Sequence, residues 1–209
     1  SKDIHEMNDH IKSLLINAPP SHEIPFEVLQ DIRRKGGGLL ESQPYSEKAE
    51  NRLINQDNKK VTIRIFNNDS PNFVYLHIHG GGHCIGAADM QDQSLEKISN
   101  DLNCVVVSVE YRLAPANPYP AAPDDCEAAA IWLIENSKSQ FNTEKIVIGG
   151  ESAGANLSAV TLQRLKSKGL LGNVKGANLI YGSYDARLTP SALRQQGSDE
   201  IFLLSYDCL

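Results

Sequence analysis

The sequence predicts an α/β protein built on a mostly parallel sheet. Three observations carry that expectation. Short, apolar, β-branched runs at 73–78, 104–109 and 145–148 have the make-up of strands covered on both faces. Helical patterns at 94–102, 121–137 and 153–168 alternate with them, an order that builds parallel sheets with right-handed crossovers. Gly150-Glu151-Ser152-Ala153-Gly154 stands at one of the strand-to-helix junctions. Composition agrees, because 209 residues with 41% hydrophobic and 22% charged side chains describe an ordinary globular chain with room for one sizeable core.

Taken in order, Ile4, Met7, Ile11, Leu14 and Leu15 recur at helical spacing until Pro19-Pro20. A second helix runs from Pro25 to about Lys35 and is closed by Gly36-Gly37-Gly38. Residues 1–45 are therefore expected to be a helical segment preceding a core over 46–209. In residues 61–66, Val61, Ile63 and Ile65 alternate with polar neighbours, the pattern of a strand with one buried face. The three apolar strands and their helices follow, and 177–181 reads as a further strand. Trp132, among Ile131, Leu133 and Ile134, is expected to pack in the core.

A net charge of −6 disfavours nucleic acid as a partner. The nearest candidate for a basic stripe, Arg33-Arg34-Lys35, is one short cluster that sits where cations suit a helix C-terminus. Cys84, Cys104, Cys126 and Cys208 are scattered without a CxxC pair, which argues against a metal site or a disulfide framework and for free thiols in the cytoplasm. No run is apolar enough for a signal peptide or a membrane span.

The chemistry-bearing residues lie at two junctions. A serine on a sharp strand-to-helix turn holds its hydroxyl clear of the backbone, and Gly150 and Gly154 let strand and helix close on it. After the 73–78 strand comes His79-Gly80-Gly81-Gly82, where consecutive glycines leave backbone N–H groups able to face a developing negative charge. The Lys-Ser/Thr that a phosphate-binding loop needs is absent, since His83 and Cys84 follow. Together these features point to acyl transfer.

His79-Gly-Gly-Gly82, Glu110-Tyr-Arg-Leu-Ala-Pro115 and Gly150-Glu-Ser-Ala-Gly154, in that order, resemble the hormone-sensitive-lipase-like family of α/β-hydrolases over about residues 60–190. The resemblance implies an α/β-hydrolase fold with an N-terminal helical cap segment. It implies hydrolysis of carboxylic esters of short to medium acyl chains, with a small-molecule ester as partner and no metal or organic cofactor. Carried over, Ser152 is the nucleophile and the N–H groups of Gly81, Gly82 and Ala153 form the oxyanion hole. His79, Gly80, Gly150, Glu151 and Gly154 support the two motifs, and Tyr111 and Arg112 fix the loop after a strand.

A serine nucleophile needs a histidine base oriented by a carboxylate, and in this fold both follow the serine. All six histidines, His5, His10, His22, His77, His79 and His83, precede Ser152. Three readings are open. The favoured one is an N-terminal piece of a longer hydrolase, inactive by itself and lacking its last strands. The second is a non-catalytic relative that binds a small acyl or carboxylate ligand. The third rewires the site, with Asp185 as acid and His83 as base. A sheet ending at Leu209 would expose an apolar edge, so a product of that length is expected to be oligomeric or poorly soluble.

Overall fold

The computed structural model describes residues 24–35 and 44–185, together with His5, Glu6, Asp9 and Ser13. The chain divides into two compact units, one of residues 43–184 and one of residues 1–42 with 185–209. Residues 186–209, Cys208 and most of the helix expected over 4–15 lie outside the described residues. In the smaller unit, helix α1 (Phe26–Lys35) carries Arg33, Arg34 and Lys35 in its last turn, with Lys35 Nζ 2.6 Å from Asp31. Those cations complement the negative end of the helix dipole, as expected from the sequence.

The larger unit is a six-stranded sheet of β1 (Glu50–Gln56), β2 (Lys59–Phe66), β3 (Val74–Ile78), β4 (Val105–Glu110), β5 (Ile146–Glu151) and β6 (Val174–Ile180). Their spatial order is β1-β2-β4-β3-β5-β6. β4, β3, β5 and β6 run parallel to one another, whereas β2 pairs antiparallel with both β1 and β4. Helices α2 (Asp92–Leu102), α3 (Ala121–Phe141) and α4 (Ala153–Ser167) alternate with the strands from β3 on. No helix among the described residues is long and apolar enough to cross a membrane.

The parity of the strands divides the sheet into two faces. Ile63, Ile65, Leu76, Ile78, Val105, Val107, Ile146 and Ile148 join Cys126, Leu133, Leu157 and Leu165 of α3 and α4 in the main core. Each apolar side chain of this size removed from water contributes about 1.5–3 kcal/mol, and the β-branched ones, stiff at χ1 in a helix, pack well on the pleated surface of the strands. Trp132 packs against this core, as expected. Phe66, Tyr75, Cys104 and Val106 form a smaller core with Leu95 of α2 on the opposite face.

Two differences from the sequence expectation have physical causes. β1 has the sequence ENRLINQ, only Ile54 is buried in it, and it exists by pairing with β2 through a hairpin at Asp57-Asn58. Both turn residues have positive φ, 50° and 62°, the geometry of a two-residue turn that suits the twist of the strands. The second difference is Arg64, expected on the wet face of β2 and in fact 1% exposed. Its Nε donates to Asp92 Oδ1 at 2.7 Å and its Nη2 also binds Asp92, while Nη1 reaches Tyr45 Oη and Asn51 Oδ1 at 3.0 Å. Asp92 in turn accepts the Ser46 N–H at 2.8 Å, so every polar atom taken from water has a partner.

Removing one partner of such a buried pair leaves a stranded charge. Asp92→Ala is expected to lower the unfolding free energy by about 3–5 kcal/mol. The double change Arg64→Met with Asp92→Leu is expected to cost much less, as measured by urea denaturation of both variants.

Candidate active site

The two glycine motifs meet at the carboxyl ends of β3 and β5. β5 runs through Gly149, Gly150 and Glu151, and α4 begins at Ala153. Ser152 sits between them with φ 54° and ψ −120°, a conformation an L-residue adopts only under constraint. The constraint is visible on both sides. A Cβ at Gly150 or at Gly154 would come within 1.9 Å of the Ile78 carbonyl oxygen at the end of β3. Ser152 N–H donates to Ile180 O of β6 at 2.9 Å, and Asn156 Nδ2 donates to Ser183 O at 2.6 Å.

The loop after β3 lies against this elbow. A Cβ on Gly80 would be 3.3 Å from Ser152 Cβ, so the loop passes directly beside the serine. Gly81 has φ 120°, and its missing Cβ would collide with the Ile85 carbonyl at 2.0 Å. The Gly81 carbonyl accepts the N–H groups of Cys84 and Ile85, which curls the loop and turns its other face outward. Among the described residues, nothing accepts a hydrogen bond from the N–H of Gly81, Gly82 or Ala153. The hydroxyl of Ser152 likewise has no partner there.

The supporting residues hold the loop in place. His79 Nδ1 donates to Gly80 O at 2.8 Å, and its ring stacks on Tyr111 at 4.1 Å between centroids. Tyr111 Oη donates to His79 O at 2.8 Å, and burial pushes its own pKa well up, so it stays a donor. Arg112 forms a two-pronged contact with Asp125, 2.9 and 2.8 Å, that fixes the chain after β4. Glu110 Oε2 accepts the Ala88 N–H at 2.7 Å. Glu151 accepts from Gly80 N–H at 2.6 Å and from His77 Nε2 at 3.0 Å.

His83 lies on the loop with φ 64°, and burial lowers its pKa. Its carbonyl accepts the Ala114 N–H at 3.0 Å, and its ring makes no hydrogen bond among the described residues. Asp185 belongs to the smaller unit. Cys84, Cys104 and Cys126 are free thiols, and burial raises the pKa of each. The residues that the sequence reading passed over are His77, Ser108 and Gln91. Strand parity could have found the first two, because a polar residue inside an apolar strand is a signal in itself.

A strained serine on a strand-turn-helix elbow, beside a glycine loop at the carboxyl edge of a parallel sheet, defines the α/β-hydrolase class. A family model for the alpha/beta hydrolase fold matches residues 75–208. The chain belongs to this family, in its hormone-sensitive-lipase-like branch. It is 35% identical over 138 residues to an arylesterase of Saccharolobus solfataricus, covering 63% of this chain and 45% of that protein. It is 39% identical over 97 residues to esterase LipI of Mycobacterium tuberculosis, covering 46% of this chain and 30% of the relative. The solved esterase of Pyrobaculum calidifontis superposes with a TM-score of 0.74 at 27% identity, over 90% of this chain and 63% of that one. The chain thus spans less than half the length of such curated relatives.

Two predictions follow from this geometry. Gly154→Ala is expected to destabilise the fold by about 1–3 kcal/mol or more through overpacking. Gly82→Ala, whose Cβ would meet nothing within 4 Å, should cost only its left-handed φ, roughly 1–2 kcal/mol. Thermal melts of the two variants check the order. The second concerns acid. Burial opposes the Glu151 charge, but His77, Gly80 N–H and Gln91 outweigh it and hold its carboxyl below the ordinary 4.5. A carboxyl depressed in the folded state contributes stability above pH 4.5 that is lost as pH falls through its folded value. The stability gap between wild type and Glu151→Gln should therefore be constant above that pH and shrink below it, in urea titrations across the acid range.

Proposed function

We propose that the protein is a serine hydrolase of carboxylic esters in which Ser152 is the nucleophile. The observation that carries this is the set of N–H groups of Gly81, Gly82 and Ala153, without acceptors among the described residues, bordering a strained serine. Ser152 Oγ attacks the ester carbonyl as a base takes its proton. The oxyanion is bound by the N–H groups of Gly81, Gly82 and Ala153, each such donor typically worth about 100- to 1,000-fold in rate. The carbonyl then re-forms, the alcohol leaves, and water cleaves the acyl-enzyme by the reverse sequence.

His77 and His79 are engaged with Glu151 and the glycine loop, so in this reading the acid and histidine of the triad lie outside the described residues. The esterase names of the relatives support the reaction class. Short to medium acyl chains are the substrates this reading favours, by likeness to the family. One observation favours a second reading, a non-catalytic binder of small acyl ligands: no described histidine meets the Ser152 hydroxyl. In that case a bound ligand raises the melting temperature by mass action without turnover.

The two readings part in one experiment on the full-length protein. Hydrolysis of p-nitrophenyl butyrate and covalent labelling by a fluorophosphonate are both expected, and Ser152→Ala should abolish them. Full activity in Ser152→Ala would overturn the nucleophile assignment, and ligand stabilisation without labelling would favour the binder.

A further inference from the structure

We propose that His77, acting through Glu151, is a positioning residue that sets the geometry of the oxyanion loop. The inference rests on the reading of Ser152 as nucleophile. It begins with strand register. Ser108, His77 and Gly149 are cross-strand partners on β4, β3 and β5, so their side chains share one face of the sheet. Glu151 is two residues beyond Gly149 and points to that same face. A buried polar chain results. His77 Nδ1 meets Ser108 Oγ at 3.2 Å, and His77 Nε2 meets Glu151 Oε2 at 3.0 Å. Glu151 Oε1 then accepts the Gly80 N–H at 2.6 Å and Gln91 Nε2 at 2.5 Å. The side chains of His77 and Glu151 are only 4% and 17% exposed.

An ionised carboxylate only accepts, so the Nε2 of His77 must carry the proton that it shares with Glu151. Ser108 fixes the other ring nitrogen, which leaves the imidazole little freedom to turn. The consequence for chemistry is twofold. Glu151 precedes the nucleophile, and a negative charge there opposes the charge that develops on the substrate oxygen. Donors from His77, Gln91 and Gly80 bind that charge and hold it on the sheet side of the loop. Secondly, Gly80 is the residue directly before the donor Gly81, so the carboxylate that grips its N–H fixes where the next two N–H groups point. Without His77, one Glu151 oxygen loses its donor and the carboxylate is free to swing, taking Gly80 with it.

The test uses the full-length protein and the kinetics of Ser152 labelling by a fluorophosphonate, whose phosphoryl oxygen occupies the oxyanion hole. Glu151→Ala is expected to lower the maximal labelling rate by about 10- to 100-fold, short of losing a donor outright, with little change in the inhibitor's half-saturating concentration. His77→Ala should lower it by a smaller factor. The double variant should be no slower than Glu151→Ala, because His77 acts only through Glu151. Glu151→Gln, which keeps an acceptor for the Gly80 N–H, should recover most of the rate. Should Glu151→Ala not fold, His77→Ala alone tests the proposal, through a lower maximal labelling rate at an unchanged half-saturating concentration. Rates that stay at wild type in the alanine variants, or alanine effects of the two sites that multiply, overturn the proposal while leaving Ser152 in place. Absence of labelling in the wild type overturns the nucleophile reading and the proposal together.

Discussion

The structure hangs on a row of polar side chains laid across an otherwise apolar sheet. Asn51, Arg64, Ser108 and His77 are successive cross-strand partners on β1, β2, β4 and β3, all on the face covered by α2. Each is costly to bury alone, and each is satisfied by a neighbour in the row or by α2. Two adjacent residues at the start of that helix do the joining, since Gln91 binds Glu151 while Asp92 binds Arg64. Apolar packing gives α2 its contact area. The polar row decides where along the sheet it docks.

The opposite face is built on a different constraint, close approach without polar selection. There α3 and α4 bury alanines and branched residues against Ile78, Ile148 and Leu76, with Ala129, Ala155 and Ile148 fully covered. The ion pairs of Arg164 with Asp124 and with the buried Glu127, 2.7 and 3.0 Å, bridge α4 to α3. The site lies at the carboxyl edge, where the two kinds of order meet. Its serine is held by close packing from one side and its loop by hydrogen bonds from the other.

Much of this was legible in the sequence because the signals were local. The β-branched runs announced β3, β4 and β5, and the glycines at 80–82, 150 and 154 announced the places where backbone approaches backbone. β1 escaped because Leu53 and Ile54 are its only apolar residues, and an edge strand is held by its partner's hydrogen bonds rather than by burial. The Asp57-Asn58 turn was the signal that could have revealed it. Arg64 and His77 escaped for a related reason. Whether a charged residue in a strand faces water or a partner depends on Asp92 or Glu151, which are distant in the chain and close only after folding. The acid and base that the proposed role of Ser152 requires were not legible either, since every histidine in the sequence precedes it.

The Ile78 carbonyl, wedged where Gly150 and Gly154 lack side chains, has a consequence for how such chains can be recombined. The end of β3 and the β5–α4 elbow fit each other with no room for a single added methyl group at Gly150 or Gly154, although a strand, two helices and several loops lie between them in the chain. A crossover between related proteins that takes one segment from each parent would join halves that were never fitted together. Residues 74–86 and 146–156 are in that sense a single heritable block, interrupted by sequence that is free to change around it.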